Sequence, residues 1–172
     1  MKPVALLALF VLSLPASGAY EGYRSVTFDH TRSGASDQTN FTALVSGAYN
    51  DMATVVNGGK VHNTVSCGVN SITCPADLVV ASDAACTVLL SWEIETYNAA
   101  TGAILMWINV PTLSHSTNTS VYLCYGNPFV TTFQGGSIGA AYDSYTQFAG
   151  HFPDGTTLSA KDSSANPLCQ HD

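Results

Sequence analysis

The sequence predicts an all-β protein, an antiparallel β-sandwich of jelly-roll-like form with at most one short helix. Short segments of alternating apolar and polar residues follow one another, with turn residues every ~8–12 positions. Charged residues make up only 10% of the chain, against roughly 25% in typical globular proteins. Ser, Thr, Asn and Gly must therefore supply most of the polar surface, which is typical of extracellular β-proteins.

The clearest alternation lies in residues 88–111, which read as two strands joined by a short loop. The strands are expected at Val88 to Tyr97 and at Ala103 to Val110, with Asn98 to Gly102 as a five-residue hairpin loop. Gly102 can adopt the positive φ that such loops need. Pro111, which lacks a backbone N–H, is expected to end the second strand.

The other predicted elements are shorter. Alternation over residues 23–30 places Arg24, Val26 and Phe28 on one face, and Val26 and Phe28 are expected in the core. A turn or short helix is expected at 49–56, with Asn50 or Asp51 as its N-cap. Further strands are expected at 41–48, 76–81 and 120–125.

The N-terminus has the form of a secretory signal peptide. Val4 to Leu14 is an apolar run, Pro15 breaks it, and Ser17-Gly18-Ala19 is a small-residue cleavage site. Cleavage is expected after Ala19, and the run is too short to cross a bilayer comfortably, since a span needs ~20 residues. The protein is therefore expected to be secreted, extracellular or at the cell surface, with no membrane span after cleavage; an uncleaved anchor is the alternative.

Five cysteines follow this leader, and an exported protein uses cysteines mainly in disulfides. Cys67 and Cys74 bracket a short loop and are the first choice for a pair, while Cys74 with Cys86 is the alternative. The odd number leaves at least one thiol without a partner in the chain, and the pairing of Cys86, Cys124 and Cys169 stays open. The spacings do not match a zinc site, and no metal ligands are predicted.

The net charge of −7 excludes one class of function. Loss of Lys2 with the leader would make it more negative still. Nucleic-acid binding needs a basic patch, and none is present, so no nucleic-acid partner is expected.

Five residues are candidates for ligand binding. Glu93 and Glu95 are two apart on a strand and should share a face with Ser91, while Trp92, Ile94 and Thr96 take the other face. A glycosidase could use such a carboxylate pair, but no third partner is evident, and no catalytic residue is assigned. Tyr97, Trp107 and Tyr122 could form a stacking platform for sugar rings, although Trp107 fits a core position better.

Calcium is the one cofactor for which the loops offer ligands, from scattered residues such as Asp77, Asp83, Asp143 and Asp162. Without an Asp-x-Asp-x-Asp run this signal is weak, and no cofactor is otherwise predicted.

Several motifs together resemble a bacterial exported family known as domain of unknown function 2341. The resemblance covers roughly residues 23–128 and is strongest at Trp92-Glu93-Ile94-Glu95, Trp107-Ile108-Asn109-Val110-Pro111 and Tyr125-Gly126-Asn127. It implies an exported β-sandwich in surface or adhesion-like proteins and brings no established activity. Residues from Ala141 onward look like the start of a concanavalin A-like (laminin-G-like) jelly roll.

The expected organisation is a signal peptide at 1–19, a β-sandwich domain at 20–130, and a linker with the truncated start of a second jelly roll at 131–172. The expected function is a structural, adhesive or surface-assembly module without catalytic activity, with glycans or other surface proteins as partners. The alternatives are a carbohydrate-binding module and a glycosidase that uses Glu93 and Glu95. The ligand and the oligomeric state are not predicted.

Overall fold

The computed structural model describes residues 20–68, 71–137, 139–146, 148–149 and 164, and it confirms the all-β class. Within these residues the helical elements are three-residue 3-10 helices at His30–Arg32, Asn50–Met52 and Val55–Asn57. The strands are β1 (Gly22–Phe28), β2 (Gln38–Ala48), β3 (Thr64–Cys67), β4 (Ile72–Pro75), β5 (Val79–Ala81), β6 (Trp92–Asn98), β7 (Ala103–Leu113) and β8 (Thr119–Tyr125).

The strands form two three-stranded sheets and a separate hairpin. The first sheet has the order β1-β8-β5, the second has the order β2-β7-β6, and β3 pairs with β4. Every pairing is antiparallel. The chain passes between the two main sheets four times: after β1, after β2 by way of the β3–β4 hairpin, after β5 and after β7. Such crossings are the connectivity of a sandwich.

The core lies between the two sheets and follows from the alternation of the strands. On β7, Ile104, Met106, Ile108 and Val110 point inward and are buried, while the residues between them are half-buried on the outer face. Val26 and Phe28 pack against the same core, as predicted. The largest fully buried side chains include Trp92, Tyr125, Met52, Leu78, Met106, Ile108 and Leu123.

The β6–β7 hairpin depends on a glycine at the predicted position. Gly102 has a φ of +65°, and a Cβ at this position would lie 2.0 Å from the Tyr49 carbonyl oxygen. The amide of Tyr49 in turn donates to the Gly102 carbonyl at 3.2 Å. Both the backbone conformation and the close approach of the chain therefore require glycine here.

Several local predictions were wrong. Strand β6 begins at Trp92 instead of Val88, and β2 begins at Gln38 instead of Phe41. Tyr49, rather than Asn50 or Asp51, is the N-cap residue of the 3-10 helix at Asn50–Met52.

Pro111 does not end its strand as predicted, because β7 continues past it to Leu113. The amide of Asn109 donates to Ser91, so the missing N–H of Pro111 faces the same side as β6, which begins only at Trp92, opposite Ile108. A proline costs no ladder hydrogen bond on a side where the neighbouring strand has ended.

The two sides of the sandwich differ in whether other segments of the chain cover their edge strands. We call the side formed by β5 and β6 the closed side, because β4 packs against β6 and Phe133 lies against Trp92. We call the side formed by β1 and β2 the open side. Here Arg24 of β1 stacks on Tyr49 with 4.3 Å from the guanidinium carbon to the ring centroid. Among the described residues, no strand pairs with the outer edge of β1 or β2.

Candidate functional site

The two candidate glutamates lie on β6, where the strand contains a β-bulge. Glu93 stands opposite Trp107 of β7, but the register shifts between Ile94 and Thr96, so Glu95 has no cross-strand partner. An extra residue in one strand reverses the faces of the residues that follow it. Both glutamates lie on the face of Trp107, as predicted for a same-face pair, because Glu93 is its cross-strand partner and Glu95 accepts from its indole. Thr96 is exposed instead of sharing the core face of Trp92, which corrects the predicted alternation.

Glu93 is buried although it carries a carboxylate, with 7% of its surface exposed. It lines a cavity of about 120 Å³ together with Trp92, Ile94, Phe133 and three small residues, Gly68, Gly136 and Ser137. The rings of Trp92 and Phe133 meet edge to face, with centroids 4.8 Å apart, a favoured arrangement for aromatic pairs. The cavity therefore combines aromatic residues, a glutamate and small residues on the closed side.

Glu95 and Trp107 form the second part of the site on the outer face of the β2-β7-β6 sheet. The indole N–H of Trp107 donates to Oε2 of Glu95 at 3.0 Å. The ring of Tyr142 lies beside the indole, with 6.3 Å between centroids, and Thr42 of β2 donates to the carbonyl of Ala141 at 2.9 Å. Trp107 is thus an outer-face residue held by a carboxylate, not the core residue that its sequence context favoured.

The structure does not bring Tyr97, Trp107 and Tyr122 together, so these residues do not form one stacking platform. Because of the bulge, Tyr97 points inward and its hydroxyl donates to the carbonyl of Met52 at 2.7 Å. Burial, and then the charge of Asp77, raise the pKa of Tyr97 well above its usual value. Tyr122 lies on the other sheet, where its ring meets that of Tyr23 edge to face at 5.6 Å.

Two disulfides are present among the described residues. Cys67 pairs with Cys74, as predicted, and cross-links β3 to β4 within their hairpin, with Cα atoms 5.9 Å apart. Cys86 pairs with Cys124 across 38 residues, with Cα atoms 6.3 Å apart, and the alternative Cys74–Cys86 pair is therefore not formed. The second disulfide ties the loop after β5 to the centre of the β1-β8-β5 sheet. Cys169 lies outside the described residues.

The acidic residues considered for calcium have structural contacts with the backbone. Asp77 is buried and accepts from the amide of His62 at 2.9 Å. Asp83 accepts from the amide of Val88 at 2.6 Å, and Asp143 accepts from the hydroxyl of Thr146 at 2.8 Å. Within the part of the chain that the structure describes, no group of three or more His, Cys, Asp or Glu residues could hold a metal ion. Asp162 lies outside that part.

Sequence reasoning missed one ionised cluster on the open side. Arg24 donates to Asp51 at 2.8 Å, and the hydroxyl of Tyr125 donates to the same carboxylate. Partial burial opposes the ionisation of Asp51, but the hydrogen bonds from Tyr125 and Arg24 outweigh it and lower its pKa. Burial, followed by the hydrogen bond to Asp51, raises the pKa of Tyr125 to about 12. The signal was available, because alternation placed Arg24 on the apolar face of β1, where a charge needs a partner.

Comparison with known proteins supports the family resemblance and adds no activity. A family model described as "Domain of unknown function (DUF2341)" matches residues 75–156, which include β5 to β8 and continue beyond the predicted domain boundary at 130. No curated protein and no solved structure matches the chain. None of the helices within the described residues is long and apolar enough to cross a membrane.

Proposed function

We propose that this chain is an exported β-sandwich module with a structural role at the cell surface, adhesive or in surface assembly, and without catalytic activity. The observation that supports this role most directly concerns Glu93 and Glu95, the two carboxylates that lie closest together in the sequence. Glu95 accepts from the indole of Trp107, and Glu93 is buried beside Trp92. Glu95 therefore holds Trp107 on the sheet, and Glu93 is packed into the interior beside Trp92.

The two disulfides agree with export, since disulfides persist in oxidising compartments. They fix the β3–β4 hairpin and the loop after β5, two additions to the closed side. A module at a cell surface benefits from such cross-links, because they limit unfolding where no chaperone can repair it.

A surface-labelling experiment tests this function. The full chain is expressed with an epitope tag in a bacterium that exports it, and intact cells are probed with antibody and with external protease. We expect labelling of intact cells and disulfide-bonded protein. In parallel, Glu93→Gln, Glu95→Gln and the double variant are assayed against a panel of glycans.

The proposal predicts no glycan turnover by the unsubstituted protein and unchanged surface labelling of the Glu95→Gln variant. Turnover that either single substitution abolishes would replace the structural role with a glycosidase. Protein found only inside intact cells would also overturn the proposal.

A carbohydrate-binding module is the second candidate, and one observation favours it. Trp107 presents a half-buried ring on the outer face of a sheet, and Glu95 fixes its orientation. Binding sites often combine an aromatic surface with a few placed polar groups. On a glycan array, Trp107→Ala should then weaken binding roughly tenfold, about 1.4 kcal/mol, while Tyr122→Ala on the other sheet should leave binding unchanged. Equal loss in both variants would argue against a site at Trp107.

The similarity of residues 141–163 to the beginning of a concanavalin A-like domain also stays a proposal. The coding sequence beyond codon 172 would test it.

A further inference from the structure

The outer edge of β2 presents backbone groups that the second sheet does not use. The amide of Tyr49 donates to Gly102, directly beyond the pair Ala48 and Ala103. Hydrogen-bonded pairs alternate with non-bonded pairs along an antiparallel ladder. Val45 and its odd-numbered neighbours therefore bond to β7, while the N–H and C=O groups of Thr42, Leu44 and Ser46 point away from it.

The ladder on the other side of β7 supports the same assignment. The amide of Asn109 donates to Ser91 on the β6 side, so the odd-numbered residues of β7 bond to β6 and the even-numbered residues bond to β2. Ile108 and Met106 are the partners of Ala43 and Val45 in this register. Two independent hydrogen bonds thus place the backbone groups of Leu44 at the outer edge.

Within the described residues, β2 itself lacks the features that usually prevent strands from pairing, and the segment at Ala141 contacts it through the Thr42 side chain. Natural edge strands are protected by charged side chains, prolines, bulges or short length. β2 has eleven residues, and residues 38–50 contain no charged residue and no proline. The only irregularity is Asn40, which has a φ of +52°, and it lies near one end. Leu44, in the middle of the exposed edge, has 49% of its surface exposed.

We propose that β2 pairs with β2 of a second copy of this chain, antiparallel and around a two-fold axis that passes beside Leu44. In that register Leu44 faces its own symmetry mate, and Thr42 faces Ser46 of the other copy. The three bonded pairs supply about six backbone hydrogen bonds, two for each pair. The β2-β7-β6 sheets of the two copies then form one continuous sheet in the order β6-β7-β2-β2-β7-β6.

A second copy suits this edge better than an unrelated strand because the edge is self-complementary. The central pair brings two exposed leucines together. Each flanking pair brings Ser46 of one copy beside Thr42 of the other, whose hydroxyl stays bonded to the Ala141 carbonyl, so no charge is buried. Each chain is acidic overall, but that charge lies outside β2 and its repulsion is screened by salt. Two-fold dimers are also the commonest oligomers. The inference names a partner for the proposed assembly role and rests on that role only for its biological meaning.

Sedimentation equilibrium of the secreted full chain tests the pairing. We expect a dimer at about 100 µM protein, with tighter association at higher salt. Leu44→Lys should give a monomer at the same concentration, because the two-fold axis places the introduced charges opposite each other. Leu89→Lys is the matched control, since Leu89 is equally exposed, at 55%, but lies on the closed side; this variant should dimerise like the unsubstituted chain.

Two further variants separate pairing from folding. Ser46→Pro removes a donor that faces away from β7 and should also give a folded monomer. A mixture of Leu44→Lys and Leu44→Glu chains should recover the dimer, because opposite charges then meet at the axis. A monomeric unsubstituted chain, or a Leu44→Lys variant that dimerises normally, would overturn the inference. Surface labelling and binding to other surface proteins would be unaffected by either result, so the proposed function would stand.

Discussion

The closed and open sides of the sandwich are bounded by strands of similar kind but have different surroundings. On the closed side, the edge of β6 is bordered by β4 and by Phe133. One disulfide cross-links the β3–β4 hairpin, and the other holds the loop after β5 to β8. On the open side, the interior ends at half-buried Val26 and Phe28 and at the stack of Arg24 on Tyr49. Irregular segments and disulfides cover the closed side and bury its residues. The open side is left as a surface along which the edges of β1 and β2 are exposed.

This contrast predicts a large difference between two aromatic substitutions. Trp92→Ala on the closed side should lower the free energy of unfolding by about 3–5 kcal/mol, because it removes a side chain that is 1% exposed and leaves a void beside Phe133. Phe41→Ala on the open side, where 41% of the side chain is exposed, should cost less than about 1 kcal/mol. Denaturant unfolding followed by circular dichroism measures both, and equal losses would show that the two sides are equally well packed.

The two disulfides should differ in their contribution to stability. Cys86→Ala with Cys124→Ala opens a loop of 38 residues and should cost about 4 kcal/mol, whereas Cys67→Ala with Cys74→Ala opens a loop of 7 residues and should cost about 2 kcal/mol. The reason is that a longer closed loop restricts the unfolded chain more strongly. Thermal unfolding of each double variant under oxidising conditions provides the measurement, and a larger loss for the hairpin pair would contradict this explanation.

The ionised cluster on the open side should give a smaller effect that depends on pH. The folded pKa of Asp51 is lowered, so its stabilising contribution is present above the unfolded pKa of ~3.9 and is lost as pH falls through the folded value. Since the carboxylate is partly exposed, we expect at most about 1 kcal/mol. Asp51→Asn should therefore reduce stability at pH 7 and reduce the loss of stability on acidification.

Tyr125 provides the alkaline counterpart. Its pKa is raised to about 12, so its contribution is complete below the unfolded pKa of ~10 and is lost as pH rises toward the folded value. Unfolding measured from pH 3 to 11 would test both limbs. An acid limb that is the same in the Asp51→Asn variant and the unsubstituted chain would remove Asp51 from the explanation.

Much of the fold was predictable because it depends on local alternation and turn residues. The β6–β7 hairpin, Gly102 and the inward face of β1 follow from residue order alone. The bulge at Glu95 was not predictable in this way, because it depends on how β6 pairs with β7. That single extra residue moved Thr96 and Tyr97 to the opposite faces, which separates Tyr97 from Trp107. Tyr122 is apart from both because β8 belongs to the other sheet.

The same distinction applies to the cysteines and to Pro111. Cys67 and Cys74 are close in sequence, so their pairing could be predicted, whereas Cys86 and Cys124 meet only after β5 pairs with β8. Pro111 looked like the end of a strand, but its effect depends on whether a neighbour stands on the side of its missing N–H. Features that depend on long-range register are thus the ones that the sequence did not reveal.

The pairing of β1 with β8 has a consequence for mechanical load. The two strands run antiparallel with Gly22 beside Tyr125, and the amide of Glu21 donates to the carbonyl of Gly126 at 3.3 Å. A pulling force applied at Tyr20 and at the chain just beyond Gly126 would therefore open this ladder from one end, one bond after another, instead of shearing all its bonds at once. Under tension β1 would detach first, and the Cys86–Cys124 cross-link would keep the loop after β5 attached to β8.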